Sequence, residues 1–342
     1  MFLSTGRSSA VWGSIICEAD PKPDHSKPYT GIEDQLKLLA SRGLDISHED
    51  RAKRWLERVG YYRLSAYAYP FRKLEERDGR SVRLDQFRDG LAFSDVTDFY
   101  LFDKQIRLLL SDPLERIEIA VRNALVDTLG ALNPFGHRDA RSYKNSFKQE
   151  SNDDGEILFD AFIEGLDKAF ARSKAESAKH FRRKYSGPPP IWIAAEEWTW
   201  GNMSYILQNL NQKNRETVAN RFGLQRGTLV SWMSSLNELR NRCAHHLRTW
   251  NRPFVNIPQI KPGSLPYLAA LAPDGGPVPQ QIRTRLYGCV AVIIYLLQQL
   301  HEDTQWPARF QTFLLEADLP DEISLDSAGF IDGWENHSLW TA

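Results

Sequence analysis

Cysteine is scarce in this sequence: only Cys17, Cys243 and Cys289 occur in 342 residues. Three thiols without paired spacing supply no disulfide framework and fit a reducing compartment. Net charge is nearly absent as well. Its formal value is −1, so no global field draws the chain to nucleic acid, and any such contact must come from local patches. Long apolar runs are missing. The longest, residues 286–297, is shorter than the roughly 20 residues that span a bilayer, and it reads as a buried core helix. Residues 1–19 lack the basic start and continuous apolar stretch of a secretory signal. A cytoplasmic, soluble protein with no membrane partner is expected. There is no phosphate-cradling glycine motif, no nucleophile elbow and no dinucleotide fingerprint, so no cofactor is expected. Cys243 and His245 stand two apart with no second cysteine pair nearby, which is poor spacing for zinc, so no metal is expected. Strand alternation is not evident anywhere.

What is present is helical periodicity. Ile32, Leu36, Leu39 and Ala40 share one helical face before Gly43. Residues 49–59 carry Trp55, Leu56 and Val59 on one side, and residues 61–71 follow Gly60 with four tyrosines. Residues 95–130 give the strongest signal: Val96, Phe99, Ile106 and Leu110 form a stripe that Leu114, Ile117, Val121 and Leu125 continue. Pro113 supplies no N–H and is expected to break or kink this helix, with Ser111 or Asp112 capping the restart. Residues 133–155 read as a surface loop and 157–185 as helix, ended by the Ser186-Gly187-Pro188-Pro189-Pro190 run. Further helices are expected over 191–210, 214–222, 228–247, 283–300 and 310–316, with a long loop over 258–279. The pattern predicts an all-α helical bundle: a flexible arm (1–26), an N-terminal helical extension (27–90), a core (91–317) and a tail packed on the surface (318–342).

One segment can carry chemistry: Arg240, Asn241, Arg242, Cys243, Ala244, His245 and His246. RNA is cleaved without metal if the ribose 2′-OH loses a proton, the phosphorane is stabilised and the leaving 5′ oxygen gains a proton. Imidazole titrates near neutrality and can perform both proton transfers. A guanidinium can hold two phosphoryl oxygens at once. At about 100° per residue, Arg240 and His245 stand about 140° apart, so they bracket a face, whereas Asn241 and His245 share one. Two readings are open. Arg240 reaches around with its long side chain, or two protomers pair these segments into one composite cleft.

The residues around this segment resemble the Abi-like family of bacterial abortive-infection proteins, a branch of the HEPN superfamily, over most of the chain. The resemblance is carried by Gly60-Tyr61-Tyr62-Arg63-Leu64-Ser65-Ala66-Tyr67, and by Tyr100-Leu101-Phe102-Asp103 with Arg107. It continues in Ile117-Glu118 with Arg122, in Pro189-Pro190-Ile191-Trp192 with Glu197, Trp200 and Gly201, and in residues 239–246 with Arg248, Trp250 and Asn251. Gly329-Phe330, Trp334 and Trp340 match the usual tail. The resemblance implies a HEPN-type fold, metal-independent RNA cleavage through Arg240 and His245, a role in anti-phage defence, a homodimer, and a small non-coding RNA as a further partner. It makes Asn241 the polar residue that often follows the catalytic arginine.

Other side chains have two readings each. His246 is a second acid/base group or a histidine at a helix end, favoured by the dipole. Glu118 and Arg122, four apart, are an ordinary helix pair or orient the catalytic arginine. Arg182, Arg183 and Lys184, with Phe181 and Tyr185, form a basic aromatic cluster. Arg51, Lys53, Arg54, Arg58 and Arg63 form another. Each is an RNA contact or a solvated helix face, and Arg242 and Arg248 belong with these candidates for RNA. Two functions outside ribonuclease chemistry remain: a non-catalytic module that binds RNA or protein, and a toxin held by an antitoxin.

Overall fold

The computed structural model of the chain describes residues 28–77, 79–260, 271–272, 276–301 and 303–340. The arm over 1–26, Cys17 and most of the loop over 258–279 lie outside them. Among the described residues three short helices come first: α1 (Ile32–Ser41), α2 (Glu49–Val59) and α3 (Tyr61–Ala68). Gly60 joins the last two at φ 88°, a left-handed value that glycine adopts without Cβ strain. A hairpin follows, β1 (Arg72–Arg77) and β2 (Arg80–Phe87), antiparallel with Leu74 opposite Arg83 and Arg77 opposite Arg80. It corrects the expectation that no strands occur. Its residues are mostly charged and exposed, so no apolar face alternates. The dipeptide Asp78-Gly79 was the available signal, because such pairs favour tight hairpin turns.

The spine is α4 (Phe93–Gly130), one uninterrupted helix of 38 residues. The break expected at Pro113 does not occur. Proline removes one helical hydrogen bond, the one that Leu109 O would accept from position 113. That carbonyl instead accepts Trp306 Nε1 at 2.8 Å, so the defect is satisfied from outside the helix. After α4 come α5 (Asn145–Gln149), α6 (Leu158–Arg172) and α7 (Glu176–Lys184). The single helix expected over 157–185 is therefore two. The helix expected over 191–210 also divides, into α8 (Ile191–Ala194) and α9 (Trp200–Asn209). Thr199 causes the second division. Its Oγ1 accepts Asn202 N at 3.2 Å while Asn202 Oδ1 accepts Thr199 N at 2.9 Å, a reciprocal cap that starts a new helix.

The remaining helices are α10 (Gln212–Asn220), α11 (Arg226–Ala244), α12 (Gln280–Thr284), α13 (Leu286–Leu300) and α14 (Trp306–Leu315). Every residue of α13 from Leu286 to Leu297 is buried, so its hydrophobic run is explained by the core. No described helix is long and apolar enough to cross a membrane. One apolar cluster runs from Leu36 through α4, α9, α11 and α13 to Trp340. The chain is thus an all-α bundle bearing one hairpin among the described residues. Residues 318–340 do more than lie on its surface. Phe330, Trp334 and Trp340 are buried, and the Trp340 ring stacks on Tyr287 and Phe310.

Where α4 ends, Gly136 packs so tightly that a Cβ would sit 2.0 Å from Leu129 O. The neighbouring His137 is buried at 2 % exposure, and its Nδ1 has no hydrogen-bond partner. Burial, aided by Arg138, pushes its pKa down from 6.5 to about 4, against a smaller pull from Asp167. A neutral buried imidazole stabilises the fold fully above pH 6.5. That contribution is lost as pH falls from 6.5 to 4, to a total of about 3 kcal/mol at 1.36 kcal/mol per unit. Urea midpoints measured across this range should fall with acidity in the wild type and fall less in His137→Gln.

Candidate active site

The site is built where α11 ends. Arg240 lies just before its last turn and Asn241 opens that turn, His245 is the C-cap, and His246 follows with φ 56°. Leu247 N donates to Arg242 O at 2.9 Å and His246 N to Cys243 O at 3.2 Å, which is the Schellman closure of a helix. Its left-handed position usually belongs to glycine. Histidine enters that region more readily than most side chains. Both imidazoles are exposed, and among the described residues neither forms a hydrogen bond or ion pair. No bond joins Arg240 to His245 either. The helix expected over 228–247 ends at Ala244, so His245 stands at the helix end and the bracketing of one continuous helical face does not extend to it.

Arg240 has a definite neighbour. Its Nε stands 3.8 Å from Glu118 Oε2, with the guanidinium side chain 39 % exposed. Glu118 is itself fixed, because Arg122 Nη2 donates to its other oxygen at 3.0 Å. Arg122 also donates to Trp198 O at 3.1 Å. That carbonyl is free because the cap at Thr199 separates α8 from α9. A local choice at Thr199 therefore extends through Arg122 and Glu118 to Arg240. Glu118 thus forms the helix pair with Arg122 and also stands beside Arg240.

The loop after the histidines is held from below by a buried carboxylate. Asp103 on α4 is fully buried. One of its oxygens accepts Thr249 N at 3.0 Å and Trp250 N at 2.8 Å. The other accepts Tyr67 Oη at 2.7 Å and pairs with Arg107. Arg107 in turn donates to Tyr67 Oη at 3.0 Å. Burial raises the Asp103 pKa, opposed first by Arg107 and then by the bonds from Trp250, Tyr67 and Thr249. From α3, Arg63 Nη1 donates to His246 O at 2.6 Å, and Arg248 donates back to Ala66 O.

The residues expected to touch RNA separate on this evidence. Arg242 is 4 % exposed. It donates to Glu238 and to the carbonyls of Arg252 and Pro253, and lies 4.0 Å over the Phe254 ring. It closes the loop after α11 and has no face for a ligand. Arg63, Arg248 and Arg182 each bind backbone carbonyls. Arg183 is exposed, and Lys184 lies over Tyr185. Asn241 Nδ2 makes a long contact of 3.5 Å to Asn237. Cys243 is buried, and desolvation pushes its thiol up to about 12, so it offers no thiolate. Among the described residues, no three His, Cys, Asp or Glu side chains stand together as metal ligands would.

Sequence reasoning passed over Asp103 and Arg107 as parts of the site. The signal was there. Both interrupt the apolar stripe of α4 one turn apart, and charges on a core stripe must be paired.

These features define a helical-bundle protein with a capped helix end presenting an arginine and two histidines. The chain belongs to the Abi-like protein family, which is associated with abortive infection; the family model matches residues 54–251. That span holds Tyr67, Asp103, Glu118, Arg240 and His245 together. Searches of curated proteins and of solved structures returned no match.

Asp103→Ala should cost about 3–5 kcal/mol in urea unfolding, because Arg107 would remain buried without its counter-charge. A loss below about 1 kcal/mol would show that the carboxylate is not the tie described.

Proposed function

We propose that the protein is a metal-independent endoribonuclease of the HEPN type acting in abortive infection. The observation that carries this reading is the pairing of Glu118 with Arg240 beside two unpartnered imidazoles on a clamped turn. The reaction needs only protein side chains. His245 takes the proton of the ribose 2′-OH, and the 2′ oxygen attacks phosphorus. Arg240 offsets the charge gathering on the phosphoryl oxygens. The bond from phosphorus to the 5′ oxygen breaks, and that oxygen receives a proton from a second imidazole. The products are a 2′,3′-cyclic phosphate and a 5′-hydroxyl. Asn241 contacts RNA or orients a neighbouring group.

The second imidazole is His246 or, in a homodimer, the same histidine of the other protomer. The angular offset of Arg240 and His245 favours the dimer, since a two-fold pairing of α11 ends would gather two guanidiniums and two imidazoles in one cleft. In this reading residues 27–90 are an extension docked on the HEPN core, and the substrate is cytoplasmic RNA.

Arg240→Ala and His245→Ala should each lower cleavage by about a hundredfold or more without changing thermal unfolding. Cleavage should persist in EDTA, with cyclic phosphate ends on the products. Undiminished function in His245→Ala would instead favour a binding module, and a strict metal requirement would end the mechanism. Glu118 acts through Arg240 as a positioning residue. Glu118→Gln should therefore lower kcat while leaving KM nearly unchanged, whereas a purely structural Glu118 would shift Tm alone.

A further inference from the structure

A second concentration of positive charge lies on α2 and α4. Arg51, Arg54 and Arg58 recur at spacings of three and four, so they share one face of α2. Lys104 stands opposite on α4. With Trp55 and Tyr100 they line an open groove of about 440 Å³. Arg51 faces Asp98. Among the described residues, Arg54, Arg58 and Lys104 form no side-chain hydrogen bond or ion pair. Lys53, on the other side of the same helix, is engaged by Glu33 and Glu49. Thus α2 sorts its cations. One side is neutralised within the protein, and the other leaves unpaired charges facing a common space, where they repel one another until an anion arrives.

The groove has an aromatic wall. Trp55 and Tyr100 meet edge to face, 5.8 Å between centroids at 79°, and both are half-buried. Cations spaced along a helix beside ring surface suit a chain that alternates phosphates with flat bases. The bases must be unstacked to reach the rings, which favours a single strand.

The geometry points to a binding site for the phosphodiester backbone of single-stranded RNA in the α2–α4 groove, with Arg54, Arg58 and Lys104 on phosphates and Trp55 against a base. The site deepens the ribonuclease reading and rests on it for the identity of the strand. It lies apart from the Arg240–Glu118 pair. Lys104 is about 21 Å along α4 from Glu118, at 1.5 Å per residue. The two places are still connected, since α2 passes through Gly60 into α3, whose Arg63 holds His246 O. An oligonucleotide can engage both places, and a dinucleotide cannot.

The test uses the full chain carrying His245→Ala, so that binding is read without cleavage. Affinity for a fluorescein-labelled oligouridylate is measured over a range of salt, with and without Arg54→Glu and Arg58→Glu. The double substitution should weaken binding about tenfold or more and flatten the slope of log K against log salt by about 1.4, the share of two single-strand phosphates. Thermal unfolding should not move. In the His245-containing protein, the double substitution should slow cleavage of long RNA and leave dinucleotide cleavage intact. Unchanged affinity and slope would overturn the proposal. So would a groove that takes inorganic pyrophosphate or anionic vesicles and no RNA. If oligouridylate binds through the groove and no RNA is ever cleaved, the ribonuclease reading fails and the groove stands.

Discussion

The carboxylate of Asp103 is the interaction on which the candidate site depends. It is fully buried and yet has four partners from three parts of the chain: Tyr67 on α3, Arg107 on its own helix, and the backbone of Thr249 and Trp250 just beyond the histidines. A buried charge is stable only when its lone pairs are satisfied. That requirement leaves the loop after α11 one place to go. The two N–H groups that Asp103 needs belong to that loop, and the hydroxyl it needs belongs to the N-terminal helices. The carboxylate therefore fixes how far the turn of His245 and His246 stands from α4, and it brings α3 close enough for Arg63 to hold the carbonyl of His246 while Arg248 reaches back to the carbonyl of Ala66.

Above this base the site is polar and open. Arg240 is steadied by Glu118, Glu118 by Arg122, and Arg122 by a carbonyl freed where α8 gives way to α9. The arrangement keeps a guanidinium partly solvated but held in place, two properties that the proposed contact with a phosphoryl group would require. The imidazoles have no such support. His246 holds its left-handed place through its backbone groups, the N–H on Cys243 O and the carbonyl on Arg63, and its ring takes no part in that hold. Glycine would satisfy that backbone better, and the turn geometry therefore gives no reason for an imidazole there.

Much of this was legible in the sequence. The stripe on α4 predicted the long helix, and the apolar run of α13 predicted a buried helix. The helix expected over 228–247 is there too, beginning at Arg226 and ending at Ala244, so His245 and His246 fall just past it. The failures have physical causes. The hairpin escaped because strands exposed on both faces have no apolar period, leaving only Asp78-Gly79 as a marker. The break inside 191–210 escaped because Thr199 and Asn202 look like ordinary polar residues until their reciprocal bonds are seen. Arg242 suggested an RNA contact by its place beside Arg240. Four residues earlier Glu238 stood ready to pair with it, and the pair is drawn inside by Phe254 and two carbonyls. Phosphate-seeking and loop-closing arginines read alike until their acceptors are known.

Pro113 carries a consequence of a different kind. Its missing N–H leaves Leu109 O open, and Trp306 fills the vacancy from α14. An indole that supplied no such bond would be buried with its donor idle, and a helix that closed its own ladder would have less use for the indole. The middle of α4 and the start of α14 are thus two halves of one joint. A polypeptide cut short before Trp306 would not simply lose a peripheral piece. It would reopen a gap halfway along the spine, so the stretch from Trp306 onward cannot be treated as a removable appendage.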